Sequence, residues 1–466
     1  MTQSEWLKRP NTFRCVLVEI DYKEGGSIKT ACFAKGNFRS ARTDTPAYTP
    51  YRDFVIGGLK FSASIDSALF GSTKTRPGEL ILLGHQDTDY LLTKAVAGNA
   101  IRIFIGDESW TKADFYQVAT LVSDGVGISG TNIRITFRQF AEDMNAPVLT
   151  ERTADGRLIP FCAGRASNVT PILIDELTGT YKFNRESSQA VTAAKFNGDI
   201  VSPANYTVNL ANSTITFNNA PIGQVTLDID GTNTGSWKQT ASDIIGHIFP
   251  GAQLDPGLAT YQLGIYINDD TTLGELLDDI TTSIGAFWKF DESGILQIKP
   301  FNTVTGTAAA AISDDQNVED SRRVAFTMAP SKEVLIGYAR NYTQIRNVAG
   351  NVYATSQATA EYLQNPGKIA SASDNQIAID FAKSATITAD TAIVNKADAD
   401  TEAARRLAIG AIPRLIYQTK QMAAGFDIEM GQEAELTTPG LNGKNAIVTR
   451  KDYDILDETV TVEFWQ

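Results

Sequence analysis

Two clusters of carboxylates are the residues in this sequence whose types and spacing could do chemistry. Asp87 and Asp89 form one cluster, and Asp107, Glu108 and Asp114 form the other. Paired carboxylates can act as general acids and bases or bind calcium. Neither cluster has the spacing of a helix–loop–helix calcium loop, and acidic residues are common in solvated turns. We therefore interpret both clusters as turn residues.

The cysteines and histidines are too few and too scattered to predict a metal site. Cys15, Cys32 and Cys162 lack Cys-x-x-Cys spacing, and their odd number does not suit a disulfide scaffold. We predict that they are small buried apolar residues. His85 and His247 are the only histidines. His247 falls in an apolar helical run, and we interpret it as a surface or capping residue.

Motifs of common enzymes are missing from the sequence. It contains no phosphate-binding P-loop, no dinucleotide glycine fingerprint, no His-Glu-x-x-His and no Gly-x-Ser-x-Gly. The glycine-rich stretch 125–130 precedes no helical pattern and is typical of a hairpin turn. We predict no catalytic, cofactor-binding or metal-binding residues, no cofactor and no enzymatic activity. The 54 acidic residues leave a hydrolytic carboxylate pair as an open alternative.

Composition and charge restrict the classes of partner. The chain has 466 residues and a net charge of −13, which argues against stable nucleic-acid binding because that requires a basic surface. No run approaches the ~18 apolar residues of a membrane span, and the first residues lack the apolar core of a signal peptide. We expect a protein that is made in the cytoplasm and does not span a membrane.

The stretch 271–301 carries the clearest structural pattern. Apolar residues between 273 and 284 recur at helical spacing, after two threonines that can cap a helix. Gly285 ends the helix. Two short runs around the turn 291–294 then predict a β-hairpin. A helix that leads into a hairpin is a compact α+β unit.

Short strands separated by Gly, Asn and Asp turns dominate the rest of the chain, with helices predicted at 240–249 and 400–409 and a brief one at 138–144. Residues 301–330 are predicted to be a linker or exposed loop, and residues 378–389 to be extended. The predicted fold class is α+β and β-rich, with several small β-barrel or sandwich domains plus one α+β unit. The predicted domains are a tube-like β domain (1–150), a β-sandwich-like domain (157–235), an α+β hub unit (236–330) and a C-terminal β-barrel-like unit with a helix (331–466).

Four stretches carry a resemblance to a known family, in this order along the chain: 100–125, then 158–175 with 206–231, then 259–301, then 402–464. The third ends in a G-x-L/I-x-I/V pattern at 294–298. The fourth contains Ile428, Gly431 and Leu436 in an I/L-x-x-G-x-x-x-x-L element. Taken together, these stretches resemble the tail-tip or baseplate hub proteins of long-tailed bacteriophages.

The resemblance implies a homotrimeric ring at the distal end of a phage tail. Such a ring would close the tail tube, hold the end of the tape-measure protein, contact a distal tail protein and tail fibre proteins, and open for DNA ejection. Some relatives hold an iron–sulfur cluster on closely placed cysteines, and the scattered cysteines here do not match that pattern. An acidic chain suits a DNA conduit because like charges repel DNA, and ring closure removes free strand edges.

Three other hypotheses stay open at the level of the sequence. One is a receptor-binding or adhesin-type tail protein, which the polar strands at 205–235 would suit, although no repeat or fibrous heptad is present. A second, less favoured, is a tail-associated cell-wall hydrolase. A third is the neighbouring distal-tail ring protein, whose first domain resembles that of a hub.

Overall fold

The computed structural model describes residues 3–9, 13–65, 69–76, 78–138, 143–313, 315, 317–318, 321–422, 424–437 and 443–466. Residues 139–142 of the predicted helix 138–144 lie outside the described residues. The described part is β-rich with interspersed helices, and it confirms the predicted α+β, β-rich class. Its sheets are open in the described part of the chain, so the barrel alternative does not apply there.

The first segment is almost entirely made of strands. Its elements are α1 (Gln3–Leu7), β1 (Arg14–Glu24), β2 (Ser27–Lys35), β3 (Phe38–Arg39), β4 (Pro50–Asp53), β5 (Val55–Gly58), β6 (Lys60–Ile65), β7 (Gly71–Arg76), β8 (Gly78–Leu82), α2 (Gln86–Asp89), β9 (Ala100–Asp107), β10 (Tyr116–Ser129) and β11 (Asn132–Arg138). A nine-stranded sheet joins most of them in the order β3-β4-β2-β1-β9-β10-β11-β8-β5. The β1–β2 turn needs two residues with positive φ, and Gly25 and Gly26 supply them at 57° and 82°.

The second segment forms the predicted sandwich. Its strands are β12 (Phe161–Val169), β13 (Ile172–Asp175), β14 (Thr180–Lys182), β15 (Ser188–Phe196), β16 (Asp199–Ile200), β17 (Tyr206–Asn209), β18 (Thr214–Phe217), β19 (Val225–Thr234) and β20 (Ser236–Trp237). One sheet contains β16-β15-β19-β12, and the other has the order β13-β14-β18-β17. Phe183, Phe217 and Leu227 are buried in their shared core.

The third segment contains the predicted helix and hairpin. Its elements are α3 (Ala241–Ile248), β21 (Gln253–Leu254), β22 (Gly264–Ile267), α4 (Leu273–Ser283), β23 (Ala286–Phe290) and β24 (Leu296–Pro300). Thr272 accepts a hydrogen bond from the Glu275 amide at 3.2 Å, and the Glu275 carboxylate accepts one from the Thr272 amide at 2.8 Å. This reciprocal capping fixes where α4 begins. The Trp288 indole then donates to Asp278 at 2.7 Å and ties the hairpin to the helix.

The last segment mixes strands and helices. Its elements are β25 (Ala310–Ile312), β26 (Arg323–Met328), β27 (Ser331–Tyr338), α5 (Gly350–Thr355), α6 (Gln357–Gln364), β28 (Lys368–Ser373), α7 (Asn375–Asp380), β29 (Ala385–Asp390), α8 (Lys396–Gly410), β30 (Arg414–Gln421), α9 (Ala424–Asp427), β31 (Glu433–Leu436), β32 (Lys444–Asp454) and β33 (Thr459–Trp465). The predicted helix 400–409 is confirmed within the longer α8. The extended prediction for 378–389 is wrong at its start, because α7 runs to Asp380.

The largest sheet joins strands that are far apart in sequence. Its main path is β21-β24-β23-β7-β6-β32-β33-β30-β26, with β25 and β31 attached beside it. It therefore takes strands from three of the four predicted domains. The four-domain division stays a prediction. The hydrogen bonds of this sheet cross the predicted domain boundaries. One hydrophobic core likewise spans both ends of the chain and includes Val18, Leu80, Val448 and Phe464.

Candidate functional site

Two acidic residues of the cluster at 107–114 accept hydrogen bonds from nearby residues. The buried carboxylate of Asp107 accepts hydrogen bonds from the Phe13 amide at 3.1 Å and from the amide and hydroxyl of Ser109 at 3.0 and 2.7 Å. Burial acts to raise the pKa of Asp107, but these hydrogen bonds outweigh it and lower the pKa. Asp114 accepts from the Thr111 hydroxyl at 2.6 Å. Both carboxylates therefore have structural roles, but Asp107 is a buried residue at the end of β9 and not a solvated turn residue.

Asp87 and Asp89 lie in the short helix α2, so the interpretation of this cluster as turn residues is wrong. His85 is its N-cap, and its Nδ1 accepts a hydrogen bond from the Asp87 amide at 3.1 Å. Asp87 also pairs with Arg52. Sequence reasoning missed this capping role, because histidine is not among the residues preferred at an N-cap.

His247 and the cysteines have structural surroundings. His247 Nε2 lies 2.8 Å from the Glu186 carboxylate, and its ring stacks against Phe161. Cys15 and Cys162 are buried, as predicted, whereas Cys32 is half-buried. Among the described residues, no group of three or more His, Cys, Asp or Glu side chains could hold a metal ion. Likewise, no helix in the described ranges is long and apolar enough to cross a membrane.

A buried lysine lies at the junction of the first sheet, the β23–β24 hairpin and β32. Lys451 is 3% exposed, and its Nζ donates to the carbonyls of Ile428 at 2.6 Å and Phe426 at 3.3 Å. The amine also lies 4.8 Å from the centre of the Tyr453 ring. Burial lowers the pKa of Lys451 to about 7. Its charged surroundings are Glu292, Lys289, Glu429 and Asp427.

The low pKa of Lys451 predicts a pH dependence of stability. The folded chain releases this proton near pH 7, whereas the unfolded chain keeps it up to the ordinary value of 10.5. Between these values the unfolded state binds more protons, so this group makes the free energy of unfolding rise with pH. Lys451→Met has no such proton, so we expect its free energy of unfolding to lack this rise. The free energy of unfolding of the wild type should therefore increase relative to that of Lys451→Met from about pH 7 to about pH 10.

Urea unfolding at both pH values tests this expectation. The matched control is Lys444→Met, because Lys444 lies on the same strand and is exposed. It should keep the wild-type pH dependence. Equal pH slopes for Lys451→Met and the wild type would contradict the assignment.

An open apolar groove lies between the ends of several elements. Its volume is about 340 Å³. Its large apolar lining residues are Leu69, Phe70, Met328, Ile387, Ile409, Ile412 and Trp465. Its charged lining residues are Asp390, Arg406 and Arg414. Ile387 and Ile412 are 41% and 53% exposed, so the groove opens to solvent. We call this surface the apolar groove.

A buried arginine also lines the apolar groove. Arg414 is 6% exposed, and its Nε and Nη2 donate to the Ile409 carbonyl at 3.1 and 2.8 Å. Its guanidinium lies 3.9 Å from the centre of the Trp465 ring. Burial lowers the pKa of Arg414 to about 10. Within the described part of the chain, no Asp or Glu oxygen lies within 4 Å of this cation.

Sequence reasoning did not identify the groove. Its walls come from β29, the end of α8, the end of β33 and the segment before β7, which meet only in the folded chain. One local feature pointed to this surface. Ile412 lies between the end of the helix and Pro413, where a turn is expected, and isoleucine is not a common turn residue. The assembly of the walls depends on long-range strand pairing.

In the described part of the chain, one unpaired strand edge, that of β29, lies at the groove, and a second, that of β28, lies on the other side of the same sheet. The three-stranded sheet has the order β28-β27-β29, so β28 and β29 are its edges among the described strands. Ile369 on β28 is 66% exposed, and Ile379 on the neighbouring α7 is 74% exposed. Exposed edges with apolar side chains favour pairing with another chain.

No protein-family model matches the chain, and no curated protein matches it. Among solved structures, it is similar to the 43 kDa tail protein of prophage MuSo2 from Shewanella oneidensis, with 13% identity, 96% of both chains covered and a TM-score of 0.43. It is similar to a tail protein from Neisseria meningitidis MC58, with 10% identity, 97% of this chain and 96% of that chain covered, and a TM-score of 0.42. A chain from the virion of a native gene transfer agent particle has 11% identity over 69% of this chain and 87% of that chain, with a TM-score of 0.46.

Proposed function

We propose that this chain is a structural protein of a bacteriophage tail and that it forms the baseplate hub at the tail tip. In this role it is a homotrimeric ring that closes the tail tube and opens for DNA ejection. It anchors the end of the tape-measure protein and contacts a distal tail protein and tail fibre proteins. Its location is the virion, after synthesis in the host cytoplasm, and its role there is not enzymatic.

The observation that carries the proposal is the apolar groove beside the open edge of β29. A groove that exposes Ile387 and Ile412 and buries the cation of Arg414 is suited to a protein partner, since apolar patches with polar rims mark interaction sites. The edge strand β29 lines the groove and adds unpaired backbone groups to the same region. These features favour a protein that functions in an assembly.

Two further observations support a place in a phage tail. The sequence resemblance covers four stretches in the order found in hub proteins. The net charge of −13 also suits a ring through which DNA passes, because negative surfaces repel the phosphate backbone and keep DNA from adhering.

The mass of the purified protein in solution tests the proposed ring. We expect light scattering to give about three times the monomer mass, because each subunit covers its apolar groove with a neighbouring subunit. Negative-stain images of the same sample should show rings, alone or after mixing with other tail proteins.

The other outcomes separate the alternatives. A persistent monomer that binds whole cells or glycans would contradict the hub and favour a receptor-binding tail protein. Clearing of bacterial cell wall in a zymogram would contradict the non-enzymatic role and favour a tail-associated hydrolase. A monomer in the presence of all other tail proteins would contradict the ring itself.

A further inference from the structure

The tip of the β13–β14 hairpin presents the most exposed large apolar side chain among the described residues. Leu177 is 99% exposed. The tip is held in one shape, because Asp175 accepts hydrogen bonds from the amides of Leu177 at 2.9 Å and Thr178 at 3.3 Å. The Thr178 hydroxyl lies 2.7 Å from that of Thr180. A rigid tip loses little conformational entropy when it binds, so it is suited to insertion into a partner.

The chemistry of the tip is both apolar and acidic. Glu176 precedes Leu177 and is exposed. Ile174, at the end of β13, is 44% exposed and extends the apolar surface along the strand. The tip therefore offers a leucine side chain with a carboxylate beside it.

The apolar groove offers the complementary chemistry. Its volume of about 340 Å³ exceeds what one leucine side chain needs, since a cavity of about 150 Å³ holds benzene. Arg414 has five N–H donors, and the described residues provide it with the single Ile409 carbonyl. A buried guanidinium is stabilised strongly when a carboxylate pairs with it. A leucine next to a carboxylate thus suits the groove, because the leucine fits the apolar volume and the carboxylate can pair with Arg414.

The tip and the groove lie in different parts of the chain. The tip belongs to the four-stranded sheet of the sandwich, whereas the groove is built on the largest sheet and α8. The Leu177 side chain is fully exposed, so within one chain the tip does not fill the groove. Two different patches that fit each other make a heterologous contact, and such contacts close into rings when the rotation permits.

We propose that the apolar groove receives the hairpin tip of a second copy of this chain, with Leu177 in the apolar part and Glu176 paired to Arg414. The inference rests on the proposed ring and names its subunit contact. Each copy donates one tip and receives one. The contact is thus repeated around the ring.

Cross-linking between two variants tests the contact. Leu177→Cys and Ile412→Cys are made in separate chains, mixed, and treated with a short bismaleimide. Both positions are exposed, so neither change disturbs the core. We expect covalent dimers in the mixture and a background level in either variant alone. The matched control is Ile222→Cys mixed with Ile412→Cys, because Ile222 is 82% exposed in the same sandwich.

Assembly measurements complete the test. Leu177→Asp and Glu176→Lys should each raise the protein concentration at half-assembly about tenfold or more, because one removes the apolar anchor and the other places a second cation against Arg414. Ile222→Asp should assemble like the wild type. Far-ultraviolet circular dichroism of each variant confirms that the sandwich is folded.

The outcomes distinguish the contact from the ring. If both tip variants assemble as well as the wild type, the proposed contact is wrong and the proposed function still stands. Loss of assembly in Ile412→Asp alone would also overturn it, because the groove would then hold another partner. A wild type that never assembles would overturn the ring and the inference together.

Discussion

Replacing Glu402 with alanine is expected to lower the free energy of unfolding by about 3–5 kcal/mol, because it leaves the buried Arg406 and the half-buried Arg405 without their shared anion. Glu402 is fully buried. Its carboxylate accepts from Arg405 Nε and Nη2 at 2.8 Å each and from Arg406 Nε at 2.6 Å. Arg405 Nη2 also donates to the Gly285 carbonyl, and Arg406 Nη2 donates to the Thr282 carbonyl. This network fixes α8 against the end of α4 and the start of the hairpin.

The same helix provides the control for this prediction. Lys396 and Asp400 form an exposed pair one turn apart, and such pairs contribute about 0.3–0.5 kcal/mol. Asp400→Ala should therefore change the urea midpoint very little. Glu402→Gln should fall between the two, since it keeps the shape and part of the hydrogen bonding but removes the charge. Equal losses for Glu402→Ala and Asp400→Ala would show that burial of the network does not stabilise the fold.

The elements that the sequence predicts well are those that local chemistry determines. Helix α4 begins where Thr272 and Glu275 cap each other, and both residues are visible in the sequence. The β1–β2 turn falls at the two glycines that its backbone requires. In these places the interacting groups are close in the chain, so spacing and residue type contain the necessary information.

The secondary-structure predictions that are wrong involve a helix cap that the prediction did not use and pairing between strands that are distant in sequence. Asp374 caps α7 by accepting from the Gln376 amide at 2.8 Å, and this local signal was missed when 378–389 was predicted to be extended. The predicted linker 301–330 contains β25, which pairs with β31 more than a hundred residues later. Nothing near 310–312 indicates that partner, because a parallel pair needs no local turn.

The groove depends on the same long-range pairing. Strand β6 pairs with β32, and β7 pairs with β23, so the first segment crosses into the largest sheet. These pairings bring Phe70 to the same surface as Ile412 and Trp465. Residue types alone could have identified the exposed leucine of the hairpin tip, but not the surface that it fits.

Replacing Phe287 with alanine is the second change with a large expected effect, a loss of about 3–5 kcal/mol in the free energy of unfolding. Phe287 is fully buried and packs with Phe301, which follows β24, and with Ile447 and Trp465 on two other strands of the largest sheet. Its removal leaves a cavity where the hairpin meets the C-terminal strands. Phe13→Ala is the matched control in urea unfolding, because Phe13 is 74% exposed and should contribute little.

The residue opposite Phe287 makes this prediction sharper. Gly431 has a φ of 81°, and a Cβ at this position would lie 2.4 Å from Phe287 Cζ. Gly431→Ala should therefore destabilise the chain through overlap and through backbone strain. When Phe287 is already alanine, the overlap is absent and only the strain remains. The double variant should thus lose less stability than the sum of the two single losses, by about 0.5–3 kcal/mol. Strict additivity in this double-mutant cycle would contradict the packing of the phenylalanine ring over the glycine, whereas coupling of the expected sign would show that the hairpin and the C-terminal strands share one core.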